Sequence, residues 1–118
     1  MSDNPDWRVH LGRHWAEQFQ GSPFSFAVGD GWADLLRTVF RRVDAVLDDD
    51  ERGFFAWSDI KEKFGAVRMT HNGSDHVDAI VDWAEEASKR ICDRCGREGR
   101  MHTDGGWCRV RCDVCVGL

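Results

Sequence analysis

Apolar positions recur along the chain in four stretches. Trp7, Leu11, Trp15 and Phe19 fall four residues apart, the spacing of one helical stripe, and Asn4-Pro5 ahead of them suits an N-cap followed by proline in the first turn. Gly21-Ser22-Pro23 ends this element, and Phe24 to Val28 alternate as a short extended stretch. Asp30 is then placed to cap a second helix, along which Trp32, Leu35, Leu36, Val39, Phe40, Val43, Val46 and Leu47 repeat at spacings of three and four. The acidic run Asp48-Asp49-Asp50-Glu51 opposes the negative end of a helix dipole, so a solvated loop is expected there.

Between Gly53 and Thr70 the period shortens. Phe54 to Ile60 and Ala66 to Thr70 are expected as two short strands joined at a turn containing Gly65. Asn72-Gly73-Ser74 breaks the chain, and Ser74 or Asp75 can cap a third helix with Val77, Ile80, Val81, Ala84 and Ile91 on one face. That helix leads into Cys92.

The tail carries the chemistry. Cys92-Asp93-Arg94-Cys95 and Cys112-Asp113-Val114-Cys115 are two Cys-x-x-Cys pairs separated by 16 residues, the spacing of a four-cysteine zinc site. Two intervening residues let one tight turn aim both sulfurs at a single ion. Gly96 can take the positive φ that such a turn needs. Gly105-Gly106 is expected as a hairpin turn and Trp107 to Arg111 as the strand leading into the second pair, which is the plan of a zinc ribbon. Four thiolates fill a tetrahedral sphere and leave no position for water, so the zinc is expected to be structural.

The predicted architecture is therefore α+β: three helices, a short antiparallel hairpin and a C-terminal four-cysteine zinc ribbon. A body over residues 1–91 carries a ribbon subdomain over residues 92–118.

Composition narrows the setting. Six Trp and seven Phe among 118 residues supply a real core, which argues against disorder. The start is polar and acidic and no apolar run approaches membrane length, so a soluble, cytoplasmic protein without a membrane partner is expected. Five cysteines would leave an odd thiol after disulfide pairing, which also favours metal. The net charge is −5; residues 1–91 carry 11 basic and 17 acidic side chains, whereas residues 92–118 carry five and four. An acidic body repels phosphate backbones, which disfavours sequence-independent nucleic-acid binding.

The remaining polar residues offer less. Cys108 is a spare thiol that could replace a ligand, with burial in a small core the favoured reading, and His102 could rival a cysteine as ligand but, with four donors already supplied, is expected at the surface. His10 and His14 are four apart but lack an intervening glutamate, so two solvated histidines are expected. No nucleophile elbow, P-loop or paired carboxylate system stands out, and a non-enzymatic protein is expected. Most aromatic residues are assigned to the core. Trp83 departs from the apolar face of its helix and is a candidate partner contact.

Several of these stretches resemble a family of small, largely uncharacterised bacterial and phage proteins. The likeness rests on Gly29-Asp30-Gly31-Trp32, Ile60-Lys61-Glu62-Lys63-Phe64-Gly65-Ala66-Val67-Arg68, Trp83-Ala84-Glu85 with Ser88, and then Cys92, Cys95-Gly96, Gly106-Trp107 and Cys112-Asp113, covering residues 24–115. Family members usually carry Gly-Gly-Leu-Arg-Phe-like residues after the Lys-Glu-Lys-Phe turn, where this chain has Ala66, Val67 and Met69. The resemblance implies a non-secreted zinc-ribbon protein carried by phage or toxin-related cassettes. Lys61, Glu62 and Lys63 form its polar motif, either a solvated or edge-protecting tip or a recognition surface.

The function expected from these features is protein–protein interaction, for example as an inhibitor or immunity protein. The alternative is a nucleic-acid-binding ribbon using Arg94, Arg97, Arg100, Arg109 and Arg111, whose charge is nearly cancelled by Asp93, Glu98, Asp104 and Asp113.

Overall fold

The computed structural model describes residues 7–117, Asp104 by its backbone alone. The Asn4-Pro5 cap expected from the sequence lies outside the described residues. The chain forms α1 (Trp7–His14), a 3-10 turn at Ala16–Phe19, α2 (Ala33–Val46), α3 (Asp49–Arg52), β1 (Trp57–Lys63), β2 (Ala66–His71), α4 (Asp75–Ser88), β3 (Arg100–His102) and β4 (Arg109–Arg111). The α+β class and its antiparallel hairpin stand as expected.

Helix α2 is the hub. Its repeating apolar positions bury Leu35, Leu36, Val39, Phe40 and Val43. The same core cluster holds Trp7 and Leu11 of α1, Phe19, Phe26 and Trp32, together with Ile60, Met69 and Val77. Burial of so many large side chains is the main favourable term in a chain of this size. A buried Gln18 ties the layers, donating to the Phe40 carbonyl at 2.7 Å and accepting from Trp57 Nε1 at 2.9 Å.

Strands β1 and β2 pair antiparallel, with Ile60 opposite Met69, Lys61 opposite Arg68 and Lys63 opposite Ala66, and with an irregularity between Trp57 and Asp59. Alternation puts Ile60, Val67 and Met69 inside and leaves Lys61, Lys63 and Arg68 on the other face. The free edge of β1 is covered at Ala27, whose N–H donates to Ile60 O and whose carbonyl accepts from Glu62 N–H.

The first strand runs Trp57–Lys63 instead of Phe54 to Ile60, and three expectations about helix limits are corrected. The first stripe does not run as one helix: α1 stops at His14, Phe19 sits on the 3-10 turn, and Gln20 and Gly21 at positive φ close it. The acidic run is a short helix, because Asp48 accepts from Glu51 N–H at 2.8 Å and Glu51 accepts from Asp48 N–H at 3.1 Å. This capping box turns the acidic residues into the favoured first turn of α3. Helix α4 ends at Ser88, and Ile91 bridges Glu98 instead of extending the helical face.

Candidate metal centre

The two Cys-x-x-Cys turns meet. The sulfurs of Cys92, Cys95, Cys112 and Cys115 all lie within 4.8 Å of one another, and Cys92, Cys112 and Cys115 are buried. Zinc–thiolate bonds of about 2.3 Å in a tetrahedron place sulfurs about 3.8 Å apart, and the Cys95 and Cys112 sulfurs are 3.6 Å apart. The donor set and the separations therefore fit one ion of the zinc type, held by these four residues.

Local sequence explains the convergence. Gly96 takes φ 85 and donates its N–H to Cys92 O at 2.9 Å, closing the first turn. In the second, Cys115 N–H donates to Cys112 Sγ at 3.4 Å and Val116 N–H to Cys112 O at 3.0 Å. The turns are joined by β3 and β4, paired Arg100 to Arg111, Met101 to Val110 and His102 to Arg109. Arg111 anchors the arrangement, donating from Nε to Asp93 Oδ1 at 2.6 Å and from a terminal nitrogen to Cys115 O at 3.3 Å.

The thiols are electrostatically unequal. Burial pushes the Cys92 thiol up, but the backbone N–H groups of Cys112, Cys95 and Arg94, with the Cys95 side chain, outweigh it and bring it down from 9.0 to about 6. Burial together with the thiols of Cys112, Cys95 and Cys92 pushes Cys115 up to about 12. Hydrogen bonding from the Cys115 backbone lowers Cys112. Four sulfurs this close resist simultaneous ionisation until a cation shares their charge.

The body grips this centre through the Gly29-Asp30-Gly31-Trp32 segment. Gly31 N–H donates to Asp93 O at 2.9 Å, and Trp32 Nε1 donates to Ile91 O at 2.9 Å. A Cβ on Gly31 would collide with Cys92 O and stand 2.7 Å from both Asp93 C and Gly96 N. Asp30, whose carboxyl is held low by the Trp7 indole N–H and by Arg8, ties α1 to the same segment. An open cleft of about 580 Å³ lies here, lined by Arg8, Asp30, Asp93, Arg94 and Arg111.

The other candidates lie outside the cluster. Cys108 is half-buried, on the approach to β4, and is not among the four converging sulfurs. His102 is half-buried instead of lying at the surface, with Nε2 3.3 Å from Arg111 O, because β3 pairs with β4. His10 and His14 are exposed, with ring centroids 6.5 Å apart. Lys61 faces Asp59 at 3.4 Å, and Glu62 Oε2 accepts from Gly65 N–H at 2.7 Å, which closes the hairpin tip. The Lys63 amine lies 5.7 Å from the Phe64 ring centroid. Trp83 is half-exposed and stacks beneath Arg42, whose guanidinium carbon is 4.0 Å from the ring centroid.

Three aromatic residues run against the sequence expectation, Phe54 at 54% exposed among them. Phe64 is 72% exposed and Trp107 is 77% exposed, although aromatics default to the core. Their signal was local: one stands in a two-residue turn before Gly65, the other directly after Gly105-Gly106.

Searches of protein-family models, curated proteins and solved structures gave no match to this chain. Among the described residues, no helix is long and apolar enough to cross a membrane.

Proposed function

We propose that this is a non-enzymatic zinc-binding protein that acts by binding another protein. The observation that carries the proposal is the closure of four cysteine sulfurs to within 4.8 Å. Such a donor set saturates the ion, and its contribution is rigidity for a tail too small to build its own core. The acidic body, with 17 acidic against 11 basic side chains before Cys92, turns the choice of partner away from polyphosphates. With the resemblance of residues 24–115 to bacterial and phage proteins, the proposed role is a cytoplasmic inhibitor or immunity factor of a phage- or toxin-associated system.

A pull-down from the native host tests this reading, using the parent and a Cys95→Ser protein that lacks one ligand. One protein retained by the zinc-loaded parent and lost with Cys95→Ser is expected. Equal recovery with both proteins would contradict it.

One observation supports a nucleic-acid reading as the second choice. Arg100 lies opposite Arg111, and His102 opposite Arg109, on a single face of the β3–β4 ribbon. Arg111 on this face is already joined to Asp93 at 2.6 Å, so the guanidinium groups it offers to a phosphate chain are those of Arg100 and Arg109. Binding of short DNA or RNA that weakens steeply with salt would establish this reading in place of the first.

A further inference from the structure

The β1–β2 turn is built against its own sequence. It is a two-residue connection in which both central residues have positive φ, Phe64 at 53° and Gly65 at 87°. Such turns favour Asn, Asp or Gly at the first position, because a side chain there crowds the backbone. Phenylalanine takes that position and gains little burial in return, its side chain standing 72% exposed. The Lys63 amine, 5.7 Å from the ring centroid, is a weak exposed return for that strain, and the combination points to a contact made with something else.

Phe64 is not isolated. Gly65 packs against the ribbon, where a Cβ would collide with Met101 Sδ and stand 3.1 Å from the Cys108 carbonyl carbon. This contact sets the loop that carries Trp107, 77% exposed, beside the hairpin tip. Two exposed aromatics 43 residues apart in sequence thus adjoin, along the chain, backbone segments that meet at Gly65 and Cys108. The flanking charge is net positive: Lys61, Lys63 and Arg68 share the outward face of the hairpin with Asp59, which pairs with Lys61 at 3.4 Å. Glu62, in the same turn, is engaged by the Gly65 amide.

We infer that Phe64 and Trp107 form a docking surface for an acidic protein segment that carries apolar side chains, with Lys61, Lys63 and Arg68 receiving its carboxylates. The inference rests on the protein-binding reading above and names its surface. Exposed aromatics beside cations match the composition of binding hot spots. An acidic peptide is favoured over nucleic acid because the cationic island is small. A phosphate chain would have to continue along a protein of net charge −5, whereas a short peptide needs the tip alone.

The test selects a random dodecapeptide library on the zinc-loaded full chain, then measures selected peptides against Phe64→Asn, Trp107→Ser and the exposed control Val9→Ser. Asparagine suits the left-handed turn position, so Phe64→Asn is expected to melt no lower than the parent. Selected sequences should combine Asp or Glu with apolar residues. Their binding should weaken about tenfold or more in both aromatic variants and stay unchanged in Val9→Ser.

Peptides indifferent to both aromatic variants would overturn the surface while leaving the protein-binding reading in place. Failure to select any peptide would overturn both. Selection of basic peptides, oligothymidylate bound in competition at Phe64 and Trp107, or a dimer dissociated by Phe64→Asn would each overturn the occupant named here. So would a Phe64→Asn protein that melts lower, because the ring would then be needed by the fold.

Discussion

The amide of Gly31 donates to the carbonyl of Asp93 at 2.9 Å, joining the start of α2 to the residue that follows the first metal-site cysteine. The approach is so close that Gly31 cannot carry a Cβ without displacing the Cys92 carbonyl and the Gly96 amide. Gly31→Ala is expected to cost about 3 kcal/mol of stability, the upper part of the overpacking range. Because the obstructed atoms belong to the first metal turn, zinc should also be lost to a chelator at roughly tenfold lower concentration, a difference of about 1.4 kcal/mol. Denaturant melts and chelator competition on the same variant check both outcomes. Stability lost with metal affinity unchanged would show the body and the site to be uncoupled.

Ser88 makes a second joint. Its fully buried hydroxyl accepts from Val67 N–H at 3.0 Å and donates to Glu85 O at 2.7 Å, linking the last turn of α4 to β2. Ser88→Ala leaves the Val67 amide without its partner and should destabilise by about 2 kcal/mol. Thermal unfolding with the zinc content held equal measures it.

Much of this organisation was legible in the sequence, for identifiable reasons. The stripe of α2 and the two cysteine pairs are periodic or fixed in spacing, so each announces its own geometry. The hairpin was legible because Gly65 interrupts two apolar runs at the length a tight turn requires. Helix α3 is hidden by the charge of its residues: the acidic run is unfavourable at the end of α2, but Asp48 and Glu51 at capping-box spacing make it the start of a new helix. The exposure of Phe64 and Trp107 is a tertiary property: composition assigns aromatics to the core, and the meeting of Gly65 with Met101 and Cys108 is what brings the segments that carry them together. The latch at Gly31 is equally non-local, depending on a residue 62 positions further along.

The box at Asp48 provides its own check. Asp48→Ala removes the acceptor for Glu51 N–H and should cost about 1 kcal/mol. Asp48→Asn, which keeps a side-chain acceptor, should recover most of that loss in a denaturant midpoint.

The unequal thiols predict how the metal-free protein responds to pH. The Cys92 thiol falls from 9.0 to about 6 in the folded chain, so its contribution to stability is complete above pH 9, shrinks below it and is gone once pH falls through 6. Cys115, raised from 9.0 to about 12, acts in the opposite sense: folding resists its ionisation, and stability declines as pH rises from 9 toward 12. Chelator-stripped protein should therefore gain denaturant resistance from pH 6 to pH 9, and the gain should shrink in Cys92→Ser. A flat profile shared by parent and variant would contradict the thiolate assignment.

The most direct test is the metal content of protein purified without chelator. One zinc per chain, retained through gel filtration and lost in Cys95→Ser, is the result predicted by four sulfurs lying within 4.8 Å of one another. A parent protein that holds no stoichiometric zinc, or a Cys95→Ser protein that holds it as tightly as the parent, would contradict the account.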